Sequence, residues 1–172
     1  MSNEAIDAME IQKPNRPTFL TVLCIITFVV SGYFFVQSLL GIFVNNSLDT
    51  TAFNEIISQL YESMDEMEGQ EQAFMQKIID GFQITVNSII ENAVSLGIFE
   101  MLTSVLGILG AVLMFRLNKK GYYLYILAKI VGVVAPLAII GVNVVTISIY
   151  GFIGVIGILF IVLYGVNVKY MR

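Results

Sequence analysis

Two ionisable side chains, Glu100 and Lys129, stand inside long apolar runs of this 172-residue chain and are its first candidates for chemistry. A charge near a bilayer centre costs about 3 kcal/mol or more, so such a group binds an ion, couples a proton, meets a partner, or reaches water. With the second apolar run taken as residues 96–115, Glu100 lies about 6 Å inside one boundary and Lys129 about 10 Å inside the other. A separation of roughly 12 to 15 Å along the membrane normal strains a direct ion pair. The weightier account has Lys129 snorkelling to one interface while Glu100 reaches toward the other. The sharper one has both facing the bundle as a cation, proton or partner site.

Three other constellations invite chemistry and fit it poorly. Gly107 and Gly110, then Gly151, Gly154 and Gly157, have a phosphate-loop look, yet no strand precedes them and they lie in runs fit to cross a bilayer. Small residues there serve close helix approach, and with Ser104 and Ser148 extending the two series, spans two and four are expected to meet each other or a neighbouring copy. Asp65, Glu66, Glu68 and Glu71 form an acidic cluster. It does not match a calcium loop, because Gly69 is the fifth residue from Asp65 and Met67 stands where an oxygen ligand belongs. A solvated, partner-facing tip is the expectation. Met64, Met67 and Met75 could offer thioethers to Cu(I), but they fall on or beside an apolar stripe and read as packing. The chain has no His, its one cysteine, Cys24, lies inside the first apolar run, and no second intramembrane acid accompanies Glu100. No catalytic constellation remains, so neither an enzyme nor a cofactor or metal is expected.

The elements that carry these residues follow from composition and period. The chain is 57% hydrophobic and 13% charged, where a soluble domain is about half apolar and about a quarter charged. Residues 45–91 hold nine acids against one base, Lys77. Within them Phe53, Ile56, Ile57, Leu60 and Met64 recur at helical spacing, and after Gly69 so do Phe74, Ile78, Ile79, Phe82 and Val86. This predicts two amphipathic helices folded as a hairpin, the second running straight on into the next span. Residues 130–168 carry no charge over 39 positions. As one helix they would measure about 58 Å, twice a hydrocarbon core, so they must fold back, with Asn143, Thr146 and Ser148 nearest the turn. Pro136 interrupts the third span's backbone bonding.

The fold expected is therefore an all-α membrane protein. Its parts are an N-terminal tail (1–18), spans at 19–44, 92–115, 122–142 and 147–168, an acidic hairpin (45–91), a basic loop (116–121) and a C-terminal tail (169–172). Lys13 and Arg16, Arg116, Lys119 and Lys120, and Lys169 and Arg172 all fall on one side of a four-span chain, which the positive-inside rule makes cytoplasmic. The hairpin is then extracytoplasmic and both termini cytoplasmic. The stretch Arg16, Pro17, Thr18, Phe19, Leu20, Thr21, Val22, Leu23, Cys24 resembles the entry into the first span of small bacterial four-span membrane proteins, a type with no established activity to carry over. That resemblance implies a bacterial inner membrane. The function expected is a non-enzymatic scaffold or accessory subunit, its partners being the lipid bilayer and another membrane protein or further copies, with no nucleic acid. The alternative is a small oligomeric cation channel or transporter using Glu100.

Overall fold

The computed structural model describes residues 17–43, 50–64 and 68–172, all of whose regular structure is helical. Six α-helices follow one another: α1 (Thr18–Phe43), α2 (Thr50–Met64), α3 (Gln70–Glu91), α4 (Ala93–Phe115), α5 (Lys120–Ile140) and α6 (Val144–Asn167), closed by a 3-10 turn, Val168–Tyr170. Helices α1, α4, α5 and α6 are long and apolar enough to cross a membrane. At about 1.5 Å per residue, even α5, with 21 residues, is about 31 Å long. Glutamates Glu68 and Glu71 are exposed at the start of α3, whereas Asp65 and Glu66 lie outside the described residues.

Helix α4 is the centre of the bundle, packed extensively on α1 and on α5. Its contact with α5 is closest where Gly110 faces Gly121: a methyl group added at Gly121 would lie 2.5 Å from the Gly110 carbonyl oxygen and 2.6 Å from the Met114 nitrogen. Glycine is required there because only a missing Cβ lets the two backbones approach this far. Gly107 gives the same accommodation to Ser31 of α1. Spans two and four do not pack extensively on each other, which sets aside the first of the two contacts expected from their glycines. Gly154 and Gly157 of α6 instead face Val133 and Lys129 of α5, and nothing lies within 4 Å of a methyl group built at Gly151. The physical reason is that α5 supplies its own small residues, Gly121 and Ala128, both buried, and so takes the place between α4 and α6.

The α4–α5 turn closes with two bonds, Leu117 N–H to the Met114 carbonyl and Asn118 N–H to the Leu113 carbonyl, both at 2.9 Å. This is the six-residue helix stop in which glycine usually takes the left-handed position. Here that residue is Leu117, at φ 61°. Its side chain is buried in a core cluster with Leu20, Cys24, Met114, Tyr164 and Met171. Burial of a leucine is worth about 1.5 to 3 kcal/mol, more than the roughly 1 to 2 kcal/mol that left-handed backbone costs. Leu117→Gly is accordingly expected to lower stability despite relieving the backbone, by about 1 kcal/mol, measured by denaturant titration of the purified protein. The same turn is tied to the end of the chain, with Lys119 N–H bonded to the Arg172 carbonyl at 2.9 Å and Arg172 N–H to the Leu117 carbonyl at 2.6 Å.

At the opposite end, α2 and α3 pair through Ile57, Met64 and Ile79. The Tyr61 hydroxyl donates to the Asp80 carboxylate at 2.5 Å, and this bond holds the phenol above its ordinary range. The neutral phenol is the form the folded hairpin prefers. Its contribution is therefore complete below the ordinary phenol range and disappears as pH rises through the raised value. Alkaline titration of hairpin helicity should show this loss in the parent and not in Tyr61→Phe.

Helix α3 does not continue straight into α4. The helices are parted at Asn92 (φ −108°, ψ 19°), although Asn92 N–H still bonds to Ser88 and Leu96 N–H to Asn92. The cause is a lateral anchor. Asn143 Nδ2 donates to the Thr85 hydroxyl at 3.1 Å, and Gly81 lies close enough to Val145 that a methyl group there would be 3.3 Å from its side chain. These contacts draw α3 across the α5–α6 turn instead of letting it rise free. Asn143 also starts α6: its side-chain oxygen accepts from the Val145 and Thr146 N–H groups, each at 2.9 Å, and Thr146 Oγ1 accepts from the Asn143 N–H at 2.9 Å. This reciprocal cap satisfies donors that have no partner within a first helical turn. Asn143→Ala removes both the cap and the α3 anchor. A loss of about 2 kcal/mol is expected, with faster amide exchange concentrated in residues 81–92.

Candidate functional site

The direction in which each helix runs decides where the two intramembrane charges point. A helical side chain leans toward the N-terminus of its own helix. Helix α4 begins at the hairpin end of the bundle and α5 at the basic-loop end, so Glu100 leans one way and Lys129 the other. Thr103 and Gly132 face each other across α4 and α5, and Glu100 and Lys129 are each three residues from that level on opposite sides. Their backbones are thus about 9 Å apart along the bundle axis, closer than sequence spacing alone suggests, and the side chains diverge from there. No ion pair joins them.

Lys129 lays its aliphatic stem over Gly157, where a methyl group would meet its Cδ at 3.6 Å. Its ammonium stands 5.2 Å from the centre of the Tyr125 ring, a cation–π placement toward the basic-loop end. Tyr125 meets Tyr164 edge to face at 5.0 Å. The Tyr164 hydroxyl in turn bonds to the Thr27 hydroxyl at 2.8 Å, which ties α6 to α1.

Glu100 faces the other half. Ser38 of α1, whose hydroxyl donates to the Phe34 carbonyl at 2.7 Å, is within hydrogen-bonding reach of its carboxyl. Tyr150 of α6 borders the same cavity as Glu100. Because α1 and α6 touch only lightly, the bundle is closed at the basic-loop end and open at mid-depth. There it contains a cavity of about 550 Å³ into which Glu100, Lys129, Gly107, Gly154 and Gly157 all project or border. Gly110 is not part of it and serves the α4–α5 crossing. Gly151 borders neither. The cavity wall is chiefly apolar. Among the described residues no group of three or more His, Cys, Asp or Glu side chains is placed to hold a metal ion.

The polar face of α1 escaped the sequence reading. Thr27, Ser31 and Ser38 are all buried in the bundle, and with Cys24 they form a helical row of small or hydroxyl-bearing residues inside an otherwise large-residue run. That row was the available signal. Comparison with protein-family models, with curated proteins and with solved structures gives no match to this chain.

Proposed function

We propose that this chain is a non-enzymatic accessory or scaffold subunit of a bacterial inner membrane, with both termini cytoplasmic and the hairpin outside. It engages another membrane protein or further copies of itself through the hairpin and the side of α6 that carries Gly151. The observation that carries this reading is the set of large apolar side chains exposed on the hairpin, away from the four long apolar helices: Ile56, Phe74, Phe82 and Ile84. Large apolar groups left exposed on a segment held in water are the ordinary mark of a protein contact. Glu68 and Glu71 border the same segment and favour a partner with basic groups. Helix α6 is the least covered of the four long helices, and Gly151 on it has room for a close neighbour.

Native mass spectrometry after gentle extraction tests this. A stoichiometric complex with a second protein, lost on Phe74→Ser with Ile84→Ser, is the expected result. A closed homo-oligomer whose reconstituted vesicles pass cations, with flux reduced by Glu100→Gln, would replace this reading with the channel one. The placement of Glu100 on the cavity favours that second reading, while the core cluster that closes the basic-loop end weighs against a path through a single copy.

A further inference from the structure

The cavity of about 550 Å³ falls within the size range of small-molecule sites, roughly 300 to 1,000 Å³, and its charges are unequal in reach. Lys129 presents its stem to the cavity and turns its ammonium to the Tyr125 ring. Glu100 has no cationic partner among the described residues, and it stands at the cavity wall together with Phe34 of α1, Phe99 of α4 and Tyr150 of α6. The cavity therefore offers one carboxylate, exposed at its open side, and three aromatic side chains along a mainly apolar wall.

Each of these features selects for the same ligand. A carboxylate in an apolar setting calls for a cation, since an unpaired charge there is costly. Aromatic faces attract a cation that sheds water readily, which favours an organic cation over a small, strongly hydrated metal ion. The apolar wall requires an apolar body on that cation, and the gap between α1 and α6 gives a way in from the side. We infer that the cavity between α1 and α6 is a binding site for a free lipophilic organic cation, with Glu100 as its counter-ion and Phe34, Phe99 and Tyr150 as its aromatic walls. This assignment needs neither a protein partner nor ion flux, and it stands independently of both readings above.

Equilibrium binding of tetraphenylphosphonium to the full chain in dodecylmaltoside tests it without any transport readout. Saturable binding at one site per chain is expected, displaced by dodecyltrimethylammonium and absent for tetraphenylborate, an anion of the same shape. Glu100→Gln should weaken it at least tenfold while leaving helicity and thermal unfolding unchanged. Gly154→Leu, which fills the cavity from α6, should weaken it as well. Equal binding of the phosphonium and the borate, or phosphonium binding indifferent to Glu100→Gln, would overturn the assignment and leave a lipid chain or a neighbouring helix as the occupant. Saturable binding of phosphatidylethanolamine with no binding of the phosphonium would overturn it in favour of a lipid headgroup.

Discussion

Gly121→Ala is expected to reduce the folded fraction severely, whereas Gly151→Ala should be neutral or slightly stabilising. Both glycines lie in long apolar helices and differ in what surrounds them. At Gly121 the new methyl group would stand 2.5 Å and 2.6 Å from backbone atoms of α4. Backbone cannot rotate aside as a flexible side chain can, so the helices must separate along the most heavily packed contact in the molecule. Overpacking of this kind costs about 3 kcal/mol or more. At Gly151 nothing lies within 4 Å, and alanine gains up to about 1 kcal/mol in helix preference. Unfolding of each variant in mixed micelles measures both. An equal effect at the two positions would show that α4 and α5 do not cross where Gly110 meets Gly121. Gly110→Ala should fall between them, its nearest backbone atoms being 3.0 and 3.1 Å away.

The second large effect is at Tyr164, which is fully buried, stacks on Tyr125 and bonds to Thr27. Tyr164→Ala should cost about 3 to 5 kcal/mol, the range for deleting a buried aromatic ring. The loss has a local signature as well. Tyr164 is the bonded link between α1 and α6, so its removal should let those helices part at the basic-loop end and admit cysteine reagents to the otherwise buried Cys24. Tyr164→Phe keeps the ring and loses only the hydroxyl bond. Interhelical bonds in a bilayer are worth about 0.6 kcal/mol on average, and Thr27 can turn its hydroxyl to its own helix backbone. A phenylalanine variant as damaged as the alanine one would mean that the hydroxyl bond, not the packed ring, holds α1 to α6.

The four long apolar helices were legible in the sequence because a bilayer imposes length and continuity on any run that crosses it. The uncharged stretch after Lys129 had to fold back, and Asn143 and Thr146 were visible as the polar residues at the fold. They were read only as turn markers and not as a reciprocal cap, and the bond from Asn143 to Thr85 was not visible at all, since 58 residues separate them. Gly121 was hidden by its neighbours. Beside Lys119 and Lys120 it reads as a loop residue, yet it sits in the first turn of α5. The glycines of α4 and α6 announced close packing but not its partners: Gly107 meets Ser31 of α1, while Gly110, Gly154 and Gly157 meet α5. The divergence of Glu100 and Lys129 was legible, because helix direction and depth alone send the two side chains toward opposite interfaces. The cavity could not, because it arises from the light contact between α1 and α6, which no local pattern encodes.

That divergence has an electrical consequence. Glu100 and Lys129 form a built-in dipole whose backbone origins are about 9 Å apart along the bundle axis and whose ends extend further in opposite directions. In the proposed orientation the negative end faces outward and the positive end faces the cytoplasm. A cell interior held negative therefore pulls each charge the way its side chain already leans. A full membrane crossing is worth about 2.3 kcal/mol per charge at 100 mV, and the pair covers about a third of a 30 Å core or somewhat more. The resting potential thus adds on the order of 1 kcal/mol to keeping the two charges apart, and de-energising the membrane removes it, leaving them freer to approach across the cavity.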